Sequence, residues 1–223
     1  LLKNGAKVTV LDNLYTGMIS LLPNHPELTF IEGDVCDKEL VDQLVQEHKL
    51  IIHAAAKNII VSTKNPIEDY ETNIGGTLNL LIAAKKHGIE RLVYAGSASV
   101  YGNPSIIPIP ENSAIYTLSP YAASKLAGEN YCIAFYESFD LPTAIVRYSN
   151  VYGKHQDPAN PYCGVISRFF EQAMNGLPIR IHGDGEQTRD FTYVEDTAKA
   201  TIEALVNPKS IGHIFNTGSG TEV

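Results

Sequence analysis

The sequence predicts a doubly wound α/β fold: a parallel sheet with helices on both faces. Short β-branched runs alternate with longer helical patterns along the whole chain. Several of those runs are continuously apolar, as strands buried on both faces are. Acidic or small residues follow the ends of the runs, and right-handed crossovers bring all those ends to one edge, where such sheets bind ligands.

Leu1-Leu2-Lys3-Asn4-Gly5 reads as the last turn of a helix stopped by glycine and lacks a signal-peptide layout. Lys7 to Asp12 is the first strand, ending in a carboxylate. Leu28 to Glu32 is the second, followed by Gly33-Asp34-Val35-Cys36-Asp37 and a helix over Lys38 to Glu47. Leu50 to His53 is the third, leading into Ala54-Ala55-Ala56. A helical pattern runs from Glu68 to Lys86 with Gly75-Gly76 inside it, tolerable where something must approach closely. Leu92 to Ser97 is the fourth strand, and Pro104, Pro108 and Pro110 mark an exposed loop. Tyr121 to Phe139 is a long helix, and Thr143 to Tyr148 the fifth strand. Beyond it come a loop over Gly153 to Pro161, a helix over Val165 to Asn175, and a turn at Gly183-Asp184-Gly185. A helix over Glu195 to Val206 and a strand over Ile214 to Asn216 follow, and Gly218 to Val223 is a loop.

Composition narrows the function. At 223 residues the chain can bury a full core, and 44% hydrophobic with 19% charged residues is ordinary for a soluble globular protein. A formal net charge of −8 argues against non-specific binding to nucleic acid or anionic membrane. Cys36, Cys132 and Cys163 have neither zinc nor disulfide spacing, which points to a reducing, cytoplasmic setting. No apolar run reaches the roughly 20 residues of a membrane span.

Within Tyr121-Ala122-Ala123-Ser124-Lys125, a spacing of four puts Tyr121 and Lys125 on one helix face. An ammonium beside a phenol favours the phenolate, although such a pair also occurs on solvated surfaces. Asp12, ending a strand, could accept from the hydroxyls of an adenosine ribose or merely cap its turn. His53 reads as a packed core histidine. Small residues at 54 to 56 would let a ligand approach the backbone.

Taken together, several stretches resemble the extended short-chain dehydrogenase/reductase family, specifically its nucleotide-sugar epimerases of the UDP-glucose 4-epimerase type. They are Leu11-Asp12-Asn13-Leu14 with Thr16-Gly17, Gly33-Asp34-Val35, His53 to Ala56, Asn73 with Gly76-Thr77, and Ser97 to Gly102. Tyr121 to Lys125, Arg147 to Gly153 and Gly183 to Phe191 complete the set. The resemblance spans essentially the whole chain. It implies a Rossmann-like fold with NAD as cofactor, a UDP-sugar as partner and a homodimer formed by the Glu68–Lys86 and Tyr121–Phe139 helices.

The resemblance also assigns roles. Tyr121 is the general base, Lys125 lowers its pKa and holds the nicotinamide ribose, and Ser97 binds the sugar 4-hydroxyl. Asp12 and Asn13 take the adenosine ribose, Asp34 and Val35 the adenine. Ala54, Ala55 and Ala56 with Asn73 border the pyrophosphate and ribose, and Tyr148 lies against the nicotinamide. Asn150 and Arg189 hold the substrate diphosphate, Arg189 reading otherwise as a surface ion pair with Asp190 or Glu186. The implied reaction is epimerisation at C4 through a 4-keto sugar. Dehydratases of the family carry Asp-Glu directly after the position of Ser97, and UDP-glucuronate decarboxylases a Glu at the second place. Ala98 and Ser99 stand there instead. Another enzyme of the family (a decarboxylase, dehydratase or reductase) and a non-catalytic NAD-binding relative are the alternatives.

The implied organisation is an NAD-binding unit over residues 1–164 and 191–217, a substrate-binding segment over 165–190, and the start of a substrate domain at 218–223. The family's first strand and glycine-rich phosphate loop would precede Leu1, so the sequence reads as part of a longer protein. Lys57, in a segment one residue shorter than the family pattern, receives no role.

Overall fold

The computed structural model describes residues 1–156, 164–181 and 183–223; Cys163 and the 157–161 part of the expected loop lie outside the described residues. Strands β1 (Val8–Asp12) and β2 (Leu28–Glu32) form a parallel pair, with Val8 opposite Leu28 and Asp12 opposite Glu32. Helix α1 (Lys38–Gln46) follows, its first turn capped by Asp37, whose carboxylate accepts from the Glu39 and Leu40 N–H groups. Strand β3 (Leu50–His53) leads to α2 (Ile59–Lys64), capped by Asn58.

The helix expected over Glu68 to Lys86 is built in three pieces. Helix α3 (Pro66–Asp69) passes into a π-helical stretch, Tyr70–Gly76, before α4 (Thr77–His87). Two contacts mark the end of the interruption. Thr77 Oγ1 bonds back to the Asn73 carbonyl at 2.6 Å, and a Cβ at Gly76 would collide with the Val35 side chain. The close approach anticipated for the glycine pair is therefore the packing of Val35.

Strand β4 (Arg91–Ser97), α5 (Pro120–Phe139) and β5 (Thr143–Tyr148) come next, then β6 (Asn150–Tyr152) and α6 (Val165–Met174). The chain closes with β7 (Phe191–Tyr193), α7 (Val194–Val206) and β8 (Ile214–Thr217). Helix α5 starts in a manner its sequence dictates: Ser119 accepts from the Ala122 N–H at 3.1 Å, and Pro120 occupies the first turn, where no donor is needed.

The parallel sheet runs β3-β4-β5-β8. The β1–β2 ladder is separate from it, and β6–β7 is a small third ladder. Alternate residues of one strand face opposite sides, so β4 feeds two cores. Leu92 and Tyr94 join Leu81, Ala84, Cys132 and Phe135 beneath α4 and α5. Val93 joins Ala144, Val146, Ala204 and Leu205 beneath α7. Helices on both faces explain why β4 is buried along almost its whole length. The register sets Ser97 opposite Tyr148, and Tyr148 opposite Thr217, at the carboxyl edge of the sheet.

Among the described residues no helix is long and apolar enough to cross a membrane.

Candidate active site

At that carboxyl edge lies a cavity of about 220 Å³, lined by Ala54, Ala56, Ser97, Tyr121, Lys125 and Tyr148 together with Ala95, Gly96, Ser149 and Val151. Six residues singled out in the sequence thus converge on one space, from the ends of β3, β4 and β5 and from the first turns of α5. Ser97 ends β4 and caps the short turn after it, its Oγ accepting from the Ser99 N–H and lying 2.9 Å from Ser99 Oγ. Tyr148 Oη lies 2.8 Å from Thr201 Oγ1, which fixes the ring against α7.

Lys125 is 3% exposed. Its ammonium sits 4.2 Å from the centre of the Tyr94 ring, a cation–π seat. Tyr94 is itself fully buried, its hydroxyl donating to the Lys125 carbonyl at 3.2 Å. Burial pulls the Lys125 pKa down to about 8, against the opposing influence of Cys132, Asp69 and Glu129. Tyr121 departs from expectation: burial raises its pKa, with contact to Ser97 pulling down and the charge of Asp69 pushing up. Desolvation of the phenol outweighs the favourable neighbours, and the ammonium that the spacing aims at it rests on Tyr94 instead. Burial holds His53 neutral, near pKa 3, with Nε2 2.8 Å from Thr77 Oγ1, as suits a packed core histidine.

Gly128 is what lets Tyr94 reach this position, because a Cβ there would collide with the phenol ring. Gly128→Ala is expected to destabilise the protein by about 1–3 kcal/mol, the range for overpacking a core. A thermal unfolding midpoint unchanged from wild type would show that the ring has room to move.

A second cluster lies at the ends of β1 and β2. Asp12 Oδ1 accepts from the Leu14 N–H at 2.7 Å, so the turn-capping reading of Asp12 is realised with one carboxylate oxygen. Asn13 Nδ2 donates to Asp34 Oδ2 at 2.6 Å, and Asp34 Oδ1 accepts from the Cys36 N–H at 2.8 Å. Burial acts to raise the Asp34 pKa, but the hydrogen bonds from Cys36 and Asn13 outweigh it and hold the carboxyl below its usual range. Val35 is buried in the core under α4. Ala54, Ala55 and Ala56 are exposed, Ala54 and Ala56 on the cavity lining.

Asn73 is different: it is 1% exposed and its amide is occupied within the protein. Its Oδ1 accepts from the Lys57 N–H at 2.7 Å, and its Nδ2 reaches Asp69 Oδ1 at 2.6 Å and Ser124 Oγ at 3.0 Å. Lys57, given no role in the sequence, is buried, with its ammonium 2.6 Å from Glu68 Oε1 and 3.5 Å from the Tyr15 ring centre.

Asn150 and Arg189 form a third group that does not line the cavity. Asn150 donates through both its backbone N–H and its Nδ2 to the Asp190 carbonyl, at 3.2 and 3.1 Å. The exposed Arg189 donates to the Thr188 carbonyl at 2.7 Å, and none of the ion pairs among the described residues involves it. The ion-pair reading of Arg189 is thus absent. Asp190 is instead engaged by Ser219 and Gly220.

Tyr94, Asp69 and Ser124 escaped the sequence reading. Tyr94 stands in an apolar strand run and looks like any core aromatic, and nothing local marks a buried carboxylate at Asp69.

The model of the NAD dependent epimerase/dehydratase family matches residues 1–218. A Methanocaldococcus jannaschii protein provisionally named UDP-glucose 4-epimerase is 41% identical, the match covering all of this chain and 72% of that protein. The UDP-N-acetyl-alpha-D-glucosaminuronate decarboxylase of Bacillus cytotoxicus is 37% identical over all of this chain and 70% of its own length. The crystal structure of UDP-glucose 4-epimerase from Thermotoga maritima with UDP-glucose superposes with a TM-score of 0.92, at 32% identity, over all of this chain and 72% of that one. The fold is accordingly the Rossmann-like one, and the chain belongs to the NAD dependent epimerase/dehydratase family of nucleotide-sugar enzymes.

Proposed function

We propose that this chain catalyses epimerisation at C4 of a UDP-sugar, glucose/galactose or the N-acetyl analogues, through a 4-keto intermediate. The observation that carries this choice within the family is the lining of the 220 Å³ cavity: it offers Ser97, Tyr121 and Lys125 and, among the described residues, no carboxylate. Eliminating water from a 4-keto sugar calls for an acid and a base beyond the tyrosine, and Ala98 and Ser99 supply neither.

The residues fit NAD. Carboxylate acceptors at Asp12 and Asp34 suit the hydroxyl and amino donors of adenosine, and Asp12 repels a 2′-phosphate. We assign Asp12 and Asn13 to the adenosine ribose, Asp34 and the backbone at Val35 to the adenine, and the exposed Ala54–Ala56 rim to the pyrophosphate side. Lys125 and Tyr148 take the nicotinamide end. Asn73, its amide occupied, acts by holding the Lys57 segment in place rather than by direct contact. When bound, NAD supplies reversible hydride acceptance at the sugar carbon.

Tyr121 removes the proton of the 4-hydroxyl, with Ser97 hydrogen-bonded to the same oxygen. Lys125 stabilises the phenolate that Tyr121 must become, and its cation matters because burial alone opposes that charge. Once the keto sugar presents its other face, Tyr121 returns the proton. Asn150 and Arg189 hold the diphosphate, a task suited to a guanidinium fork. A homodimer through α4 and α5 is part of the reading: Ile82 on α4 and Tyr131 on α5 are exposed, and a monomeric mass by light scattering would refute it.

The ammonium of Lys125 is present below its pKa of about 8 and lost above it. With the Tyr121 pKa raised and Lys125 titrating near 8, the form carrying both phenolate and ammonium grows with pH below 8 and stops growing above it, so kcat is expected to rise about tenfold per unit up to pH 8 and level off beyond. A rate that goes on rising about tenfold per unit from pH 8 to 10 would remove Lys125 from the mechanism. The reaction itself is tested by incubating the protein with UDP-galactose and NAD and separating the products. UDP-glucose is expected; a decarboxylated or 6-deoxy-4-keto product would assign the chain to another reaction of its family.

A further inference from the structure

We propose that Asp69 is a positioning residue, a buried carboxylate that sets the charge balance of the Tyr121–Lys125 pair from behind helix α5. The inference rests on the roles proposed for those two residues and adds a third group that touches neither substrate nor cofactor.

Asp69 is 3% exposed, at the end of α3. A buried carboxylate is costly unless it is paired or fully hydrogen-bonded. None of the ion pairs among the described residues involves Asp69. Three uncharged donors surround its Oδ1 instead: Ser62 Oγ at 2.5 Å, Asn73 Nδ2 at 2.6 Å and Ser124 Oγ at 3.0 Å. Each comes from a different element, α2, the π-helical stretch and α5. Ser124 stands in the turn of α5 that carries the base, so the cluster is fastened to it; Ser124 Oγ also lies 3.0 Å from the Tyr121 carbonyl, an acceptor that competes for the same hydroxyl proton. A buried carboxylate oxygen with three donors around it is a satisfied acceptor.

That charge acts on both members of the pair, favouring protonated Lys125 and opposing the Tyr121 phenolate. Lys125 is faced by Cys132 and Glu129 from α5, by Tyr94 from β4, by His53 from β3 and by Asp69. His53 stays neutral, and Glu129 is committed to Arg147. Asp69 is then the carboxylate whose removal leaves the remaining contacts of Lys125 in place. Neutralising it lowers both ionisation midpoints together, a signature that a loss of packing does not produce.

The test follows the ionisation of Lys125 by NMR in protein labelled with ¹³Cε-lysine, the signal being assigned with Lys125→Met. In Asp69→Asn, and in Asp69→Ser as a second neutral variant, the midpoint is expected to fall by about one pH unit, tenfold in the ionisation constant. Ser62→Ala, which removes a donor and keeps the charge, is expected to stay near wild type. A folded neutral variant with an unmoved or raised midpoint overturns the proposal, as does a fall in Ser62→Ala matching that in Asp69→Asn. Because the readout is a side-chain ionisation, absence of epimerase turnover in the wild type would count against the reaction and leave this result interpretable.

Discussion

Tyr121→Phe is expected to lower kcat for UDP-galactose epimerisation by about 10³-fold, within the 10²–10⁴ range of positioned general acid–base groups, with KM changed only a few fold. The substitution removes one oxygen from a ring in the first turn of α5 and leaves the ring to pack as before, so a folding defect is not the source. The effect is large because the other side chains lining the cavity are committed elsewhere or are poor bases: Ser97 and Ser149 are aliphatic hydroxyls, Lys125 acts as a cation, and the Tyr148 hydroxyl is held 2.8 Å from Thr201 Oγ1. Steady-state kinetics in wild type and variant decide it. A variant retaining more than a tenth of wild-type kcat would mean that the proton leaves by another route.

The second large effect concerns stability. Glu129 on α5 and Arg147 on β5 form an ion pair buried on both sides, bonded through Arg147 Nε at 3.0 Å and through a second, shorter contact. Arg147 also donates to the Glu111 carbonyl at 3.0 Å and to Tyr101 Oη, which donates to Asn216 Oδ1 at 2.8 Å. One guanidinium therefore joins the helix bearing Tyr121, the turn after Ser97, the 102–118 loop and β8. Removing one partner strands the other charge, so Glu129→Ala is expected to cost about 3–5 kcal/mol. At roughly 2–4 °C per kcal/mol for a chain of this size, the unfolding midpoint should drop by about 10 °C. The double variant Glu129→Met, Arg147→Met should recover most of the loss, because no charge is then left buried. A double variant as unstable as the single one would show that the hydrogen bonds to Tyr101 and the loop, rather than the stranded charge, set the cost.

Where the sequence was legible, the cause was a local pattern. Leu28–Glu32, Leu50–His53 and Thr143–Tyr148 stand where their apolar runs placed them, and the helix expected over Tyr121 to Phe139 is α5, Pro120–Phe139. Strand order put Ser97 and Tyr148 at the carboxyl edge of the sheet, whereas Tyr121 and Lys125 were brought to them by the family resemblance, the spacing of four giving only a shared helix face. What escaped depends on contacts between distant residues. The glycine at 76, inside the π-helical stretch, makes room for Val35, some 40 positions away. The seat of Lys125 needs a ring from β4 admitted by Gly128. Helix α2 and the three-residue strands β6 and β7 are too short for periodicity to register. The pKa of Tyr121 moved opposite to the expected direction because burial is invisible in a spacing of four.

The most direct test of the proposed reaction is the fate of the C4 hydrogen. Protein incubated with UDP-galactose deuterated at C4, in ordinary water, is expected to yield UDP-glucose that retains deuterium at C4, since hydride leaves and returns at the same carbon while Tyr121 handles only the hydroxyl proton. UDP-glucose carrying solvent hydrogen at C4, or no UDP-glucose at all, would contradict it.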